Sequence, residues 1–116
     1  MSGATILGCA GPVLLPVEAG FFRAADPWGF ILFRRNIVDA AQTRALCAAL
    51  RQAVGRDAPV FVDQEGGTVQ RLRPPLARDW PDASVQSGGA AAVFLRHRLM
   101  AAELRACGID GNCAPV

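Results

Sequence analysis

Apolar positions along this chain come in two rhythms that take turns. Short unbroken runs at 4–9, 29–33 and 60–62 are closed by glycine, proline or charge, as buried parallel strands are. Between them, apolar residues recur at steps of three and four. Leu46, Ala49, Leu50 and Ala53 trace one helical face, with Asp39 and Gln42 spaced as a capping pair before it and Gly55 placed as a C-cap after it. Pro16 and Glu18 suit the first turn of an earlier helix, which runs to about Ala25, is anchored by Phe21 and Phe22, and is broken by Asp26-Pro27. A last helix covers 90–107. Val93, Leu95, Leu99, Met100, Leu104 and Cys107 form its apolar face, Arg96 and Arg98 flank that face, and Gly108 ends the helix. Residues 109–116 begin a fourth strand. The excursion at 72–89 carries Pro74, Pro75 and Pro81 and has a length at which loops are often functional.

The resulting order is β-α-β-α-β-loop-α-β. A helix in each crossover makes the strands parallel, and such units build either a doubly wound sheet or a (β/α)8 barrel. A barrel needs eight units in about 250 residues. The 116 residues of this chain hold fewer than four complete units. The pattern therefore predicts one α/β domain over 1–116, the N-terminal portion (about four strands) of a TIM-like (β/α)8 barrel with parallel strands.

Composition narrows the picture. The chain is 52% hydrophobic and 19% charged, which suits a folded core and not disorder. A net charge of +2 gives no footprint for nucleic acid. All twelve basic residues are arginine, scattered except at Arg34-Arg35 and Arg71/Arg73. The four cysteines, at 9, 47, 107 and 113, have no metal-ligand spacing, and His97 is the sole histidine. Buried thiols in a reducing compartment account for them better than a metal or disulfide frame. No apolar run approaches the roughly 18 residues of a membrane span. Residues 6–9 resemble a lipoprotein cleavage box, but no basic residue precedes them. The expectation is a cytoplasmic chain with no cofactor, no metal, no nucleic-acid partner and no membrane segment.

The chemistry gathers after the third strand. Val60, Phe61 and Val62 run straight into Asp63-Gln64-Glu65 and then Gly66-Gly67. The C-terminal strand end is where parallel α/β folds handle ligands. Asp63 and Glu65, two residues apart on a strand, would share a face about 6.6 Å apart. Such a pair can act as acid and base on a glycoside, bind sugar hydroxyls or hold a hard cation. A strand that merely ends in a solvated turn would read the same. Arg34, Arg35, Arg71, Arg73 and Arg78 all follow strand ends; converging, they would pair with a carboxylate or bind an anionic group. His97 sits mid-helix and reads as a packing or surface residue. The glycine-rich stretches match no phosphate-binding pattern.

Four segments together carry a resemblance: 29–36, 62–72 (with Asp63-Gln64-Glu65-Gly66-Gly67), 99–104, and 108–110 leading to 114–116. They resemble the N-terminal part of bacterial β-N-acetylhexosaminidases of glycoside hydrolase family 3. The similar members are of the cytoplasmic type that trims N-acetylglucosamine from recycled cell-wall muropeptides. The resemblance implies a TIM-like barrel, an N-acetylglucosamine-containing muropeptide as substrate, and a retaining mechanism with an aspartate nucleophile. It makes Asp63 the carboxylate that binds hydroxyls of the non-reducing sugar; Glu65, Arg71 and Arg35 are supporting candidates by their positions after strand ends. The family's nucleophile lies in a Ser-Asp segment near a late strand, and its acid/base histidine in a Lys-His-Phe-Pro-Gly-His loop. Neither motif is present in this chain, which has no lysine. The chain alone is therefore expected to bind and not to hydrolyse. Two alternatives stand beside that reading. One is a non-catalytic half-barrel that self-associates through open sheet edges. The other is a small ligand-binding α/β domain, which requires Val116 to end a paired strand.

Overall fold

The structure, a computed structural model, describes residues 1–115. Val116 lies outside the described residues, so the pairing expected of it does too. In chain order the elements are β1 (Gly3–Leu7), α1 (Pro16–Ala25), β2 (Pro27–Leu32), a single 3₁₀ turn (Arg34–Asn36), α2 (Ala40–Val54), β3 (Val60–Val62), β4 (Gln64–Gly66), β5 (Val69–Gln70), a second 3₁₀ turn (Ala83–Val85), α3 (Gly89–Ala106) and β6 (Gly111–Asn112). Strands β1, β2, β3 and β6 form one parallel sheet in that spatial order, which is the expected α/β arrangement. The antiparallel pair β4–β5, which follows β3, has no counterpart in the sequence reading.

Capping works largely as the residue types dictate. Asp39 Oδ1 accepts from the Gln42 N–H at 2.8 Å, and Gly55 closes α2 in the left-handed region. The Gln42 side chain does not complete a box on Asp39. Its Oε1 accepts from Val38 N (2.8 Å), and its Nε2 donates to Pro12 O (2.6 Å) and Asn36 O (2.9 Å). The Glu18 carboxylate, near the positive end of α1, accepts from Ala10 N at 2.7 Å and Leu15 N at 3.1 Å.

The register sets Phe30 beside Val60 and Leu32 beside Val62, all four fully buried on one face of the sheet. Leu46, Cys47, Leu50 and Ala53 of α2 join the same core, as does Phe22 of α1, edge-on to Phe30 at 5.1 Å. Burying each such large side chain is worth about 1.5–3 kcal/mol against leaving it in water. Two expectations about helical faces need correction. Phe21 is 59% exposed, because neighbouring helix positions lie about 100° apart and only Phe22 can face the sheet. On α3 the inward stripe is Arg96, Met100 and Leu104, followed by Cys107, whereas Val93 and Leu95 are exposed. Arg96 thus occupies the buried face that it was expected to flank.

The opposite face of the sheet has a different character. Phe61 lies across Gly111 of β6, where any Cβ would collide with its ring, and Trp28 stacks on Phe61 at 5.8 Å. Ile6 and Trp28 remain 46% and 48% exposed and line an apolar recess of about 650 Å³ beside β1.

Candidate functional site

Asp63 follows β3 directly, at the rim formed by the C-terminal strand ends. The chain then doubles back through β4 and β5. Gly66 permits this turn: its φ is 104°, and a Cβ there would strike the Pro81 carbonyl oxygen and sit 2.5 Å from Arg96 Nη2. The reversal returns Arg71 to Asp63, with Nη2 3.1 Å from Oδ2. Both side chains are about three-quarters covered, at 27% and 24% exposure. The buried Arg71 Nε finds no hydrogen-bond partner among the described residues.

Cys113 follows β6, beside β3, and its N–H donates to Val62 O at 2.9 Å. Burial pushes its thiol pKa up, and the Asp63 charge, a hydrogen bond to Asp63 and the Glu65 charge push it further. The thiol therefore holds its proton beside the Asp63 carboxylate. Glu65 is half-buried; its carbonyl accepts from Arg96 Nη2 at 2.8 Å, and among the described residues its carboxylate makes no ion pair.

Of the five arginines that follow strand ends, Arg71 alone is paired with Asp63. Arg73 pairs with Asp79 (3.0 Å) and donates to Gly67 O (2.9 Å), and Arg78 pairs with Glu103 at 2.6 Å. Arg35 is exposed; its Nε donates to Cys9 O at 3.2 Å and its guanidinium lies over Phe33, while Arg34 is exposed. His97 Nδ1 faces Val93 O of its own helix at 2.9 Å. No cluster of three or more His, Cys, Asp or Glu among the described residues is arranged to hold a metal ion.

Sequence reasoning missed the residues that build this rim. Asn36 is fully buried after β2; its Oδ1 accepts from Phe33 N (2.8 Å), and its Nδ2 donates to Cys9 O (3.1 Å) and Gly11 O (2.9 Å). Gln64 is fully buried after β3, and Asn112 stands on β6 beside it. Gln70 Nε2 donates to Leu72 O (2.8 Å) and Arg78 O (2.5 Å), and its Oε1 accepts from Trp80 N (3.0 Å). The one sequence signal was position: each amide sits at or just beyond a strand end, where freed backbone groups need partners. Chemically, the site offers an ion-paired carboxylate as acceptor and a partly exposed guanidinium as donor. That combination suits a neutral polyhydroxylated ligand.

No family model matches the chain. It is 39% identical to the Beta-hexosaminidase of Pseudomonas aeruginosa over all of its own length and 35% of that protein. The chain thus spans about a third of the length of the curated relatives it matches. Among solved structures it is similar to NagZ from Neisseria gonorrhoeae in complex with zinc ion, with a TM-score of 0.86 and 31% identity over 98% of this chain and 37% of that one. It is also similar to a glycoside hydrolase family 3 β-N-acetylglucosaminidase from Paenibacillus, with a TM-score of 0.84 and 30% identity over 96% of this chain and 22% of that one. The chain is the counterpart of the N-terminal part of the family 3 β-N-acetylhexosaminidases.

Proposed function

We propose that this chain supplies the non-reducing-sugar grip of a family 3 β-N-acetylhexosaminidase. In this reading Asp63 accepts from hydroxyls of a terminal N-acetylglucosamine, and the Arg71 guanidinium donates to a ring or hydroxyl oxygen. The observation that carries it is the Asp63–Arg71 pair, a carboxylate and a guanidinium each about a quarter exposed and joined at 3.1 Å on a C-terminal strand rim. The same Neisseria protein has been solved in complex with N-trifluoroacetyl-D-glucosamine, which supports an amino sugar as the ligand. A cell-wall muropeptide in the cytoplasm is the substrate setting we infer, on the resemblance alone.

Hydrolysis itself is not expected of the purified 116-residue chain, which contains neither the nucleophile segment nor the acid/base loop of the family. Titration of the labelled chain with N-acetylglucosamine should move amide resonances at 62–72. Asp63→Asn should weaken that binding about tenfold or more, the scale of a hydrogen bond to a charged acceptor. An aryl N-acetylglucosaminide should not be turned over. Equal binding by Asp63→Asn would remove the assignment, and turnover would remove the claim of inactivity.

The uncovered sheet face favours a second reading, self-association. Ile6, Trp28 and Phe61 form an apolar surface between the edge strands β1 and β6. A sedimenting dimer weakened by Trp28→Asp supports it; a monomer at millimolar concentration disposes of it.

A further inference from the structure

We infer that Gln64 is the positioning residue of this site: its carboxamide sets where Arg71 stands relative to Asp63. The inference rests on the sugar-grip reading above and names the device on which that grip depends. A guanidinium at the end of a long side chain does not choose its own place; its main chain must first be fixed. The ladder between β4 and β5 pairs only Gln64 with Gln70 and Gly66 with Val69, with an irregularity between them. It leaves the main chain at Arg71 and Leu72 to be held by other groups.

Gln64 does the holding. Its Oε1 accepts from the N–H groups of both Arg71 and Leu72, each at 3.0 Å, and its Nε2 donates to Leu72 O at 2.8 Å. These three bonds come from one fully buried side chain, so water does not compete for them. The main chain of Gln64 is fixed in turn. Its N–H donates to Asn112 Oδ1 at 2.9 Å, and its carbonyl accepts from Asn112 Nδ2 at 2.8 Å. The residue next to Asp63 is thereby locked to β6 on one side and to Arg71 on the other. A buried hydrocarbon of equal size would fill the same space and make none of these bonds, which separates positioning from filling.

The test compares the full chain with Gln64→Met, Arg71→Met and the double variant, using N-acetylglucosamine as ligand. Thermal melts check that each variant folds. Gln64→Met should weaken binding about tenfold, and in the Arg71→Met background it should have almost no further effect. A side chain that acts only by packing would weaken binding by the same factor in both backgrounds, and that outcome overturns the inference. If Gln64→Met does not fold, Asn112→Ala takes its place in the cycle, since it frees only the main chain of Gln64.

A ligand-free readout judges the positioning separately. The buried Arg71 Nε–H should give a slowly exchanging resonance that is lost in Gln64→Met and kept in Leu76→Ala, a substitution in a half-buried side chain elsewhere in the loop. An unchanged signal in Gln64→Met overturns the inference. A lost signal together with no sugar binding by the unsubstituted chain would leave the positioning standing and remove the sugar-grip reading.

Discussion

The helix-facing side of the sheet and the rim that carries Asp63 meet at Val62, yet different forces hold them. On the helix side Phe30, Leu32, Val60, Val62, Leu46 and Leu50 belong to one buried apolar cluster. At the rim the same backbone is held by carboxamides and a guanidinium: Asn36, Gln64, Gln70, Asn112 and Arg96. Arg96 is 6% exposed and has no carboxylate partner among the described residues. It donates to the carbonyls of Glu65 (2.8 Å) and Pro81 (2.5 Å) and to Gln86 Oε1 (3.2 Å), and its guanidinium lies over the Trp80 ring. The contrast has a physical reason. Dispersion and apolar burial are non-directional and tolerate small shifts, whereas a binding site needs groups held at set angles, which hydrogen bonds supply.

Breaking each region in turn should give different signatures. Leu50→Ala strikes the apolar side and should cost about 2–5 kcal/mol in a urea melt, lowering the stability of the whole chain. Arg96→Met keeps the volume and removes the rim bonds, at a cost of about 1–3 kcal/mol. Its signature should be local. Amide exchange should quicken at 64–67 and 81–86 and stay slow in α2; uniform quickening would count against a separately held rim.

Alkaline pH probes the apolar side through its thiols. Burial pushes Cys47 from its ordinary 9.0 up to about 11, and burial raises Cys9, Cys107 and Cys113 as well. A raised pKa means that the folded chain holds the proton longer than the unfolded one. Stability should therefore be full below about pH 9 and fall as pH rises toward 11, by on the order of 2 kcal/mol for Cys47. The chain has no lysine and no tyrosine, so this window reports the cysteines with little interference. A melt midpoint that is flat from pH 9 to 11 would contradict the burial of Cys47. Asp39→Ala removes the cap of α2 and should cost about 1 kcal/mol. Trp28→Ser on the open face should cost the monomer about 0.5–1.5 kcal/mol, the scale of the stack on Phe61 that it removes. A loss that grows with protein concentration would mean that this face is covered in solution.

The order of strands and helices, their parallel pairing and the place of Asp63 at a strand end were written in the chain. Apolar runs of strand length, steps of three and four, and the residues Asp39 and Gly55 are local signals, and local signals survive without knowledge of the fold. What was not local stayed hidden. The hairpin β4–β5 is only a few residues long and polar, so its pairing leaves no periodic trace. Arg96 reads as a surface charge until Glu65, Pro81 and Gln86 are seen converging on it from distant parts of the chain. The five arginines after strand ends look equivalent in one dimension, and only the reversal at Gly66 selects Arg71 for Asp63. Sequence determined which backbone segments become regular, because that depends on neighbours along the chain. Tertiary structure decided which polar side chains meet, because a hydrogen bond requires approach within about 3 Å, and nothing short of the folded path sets that distance.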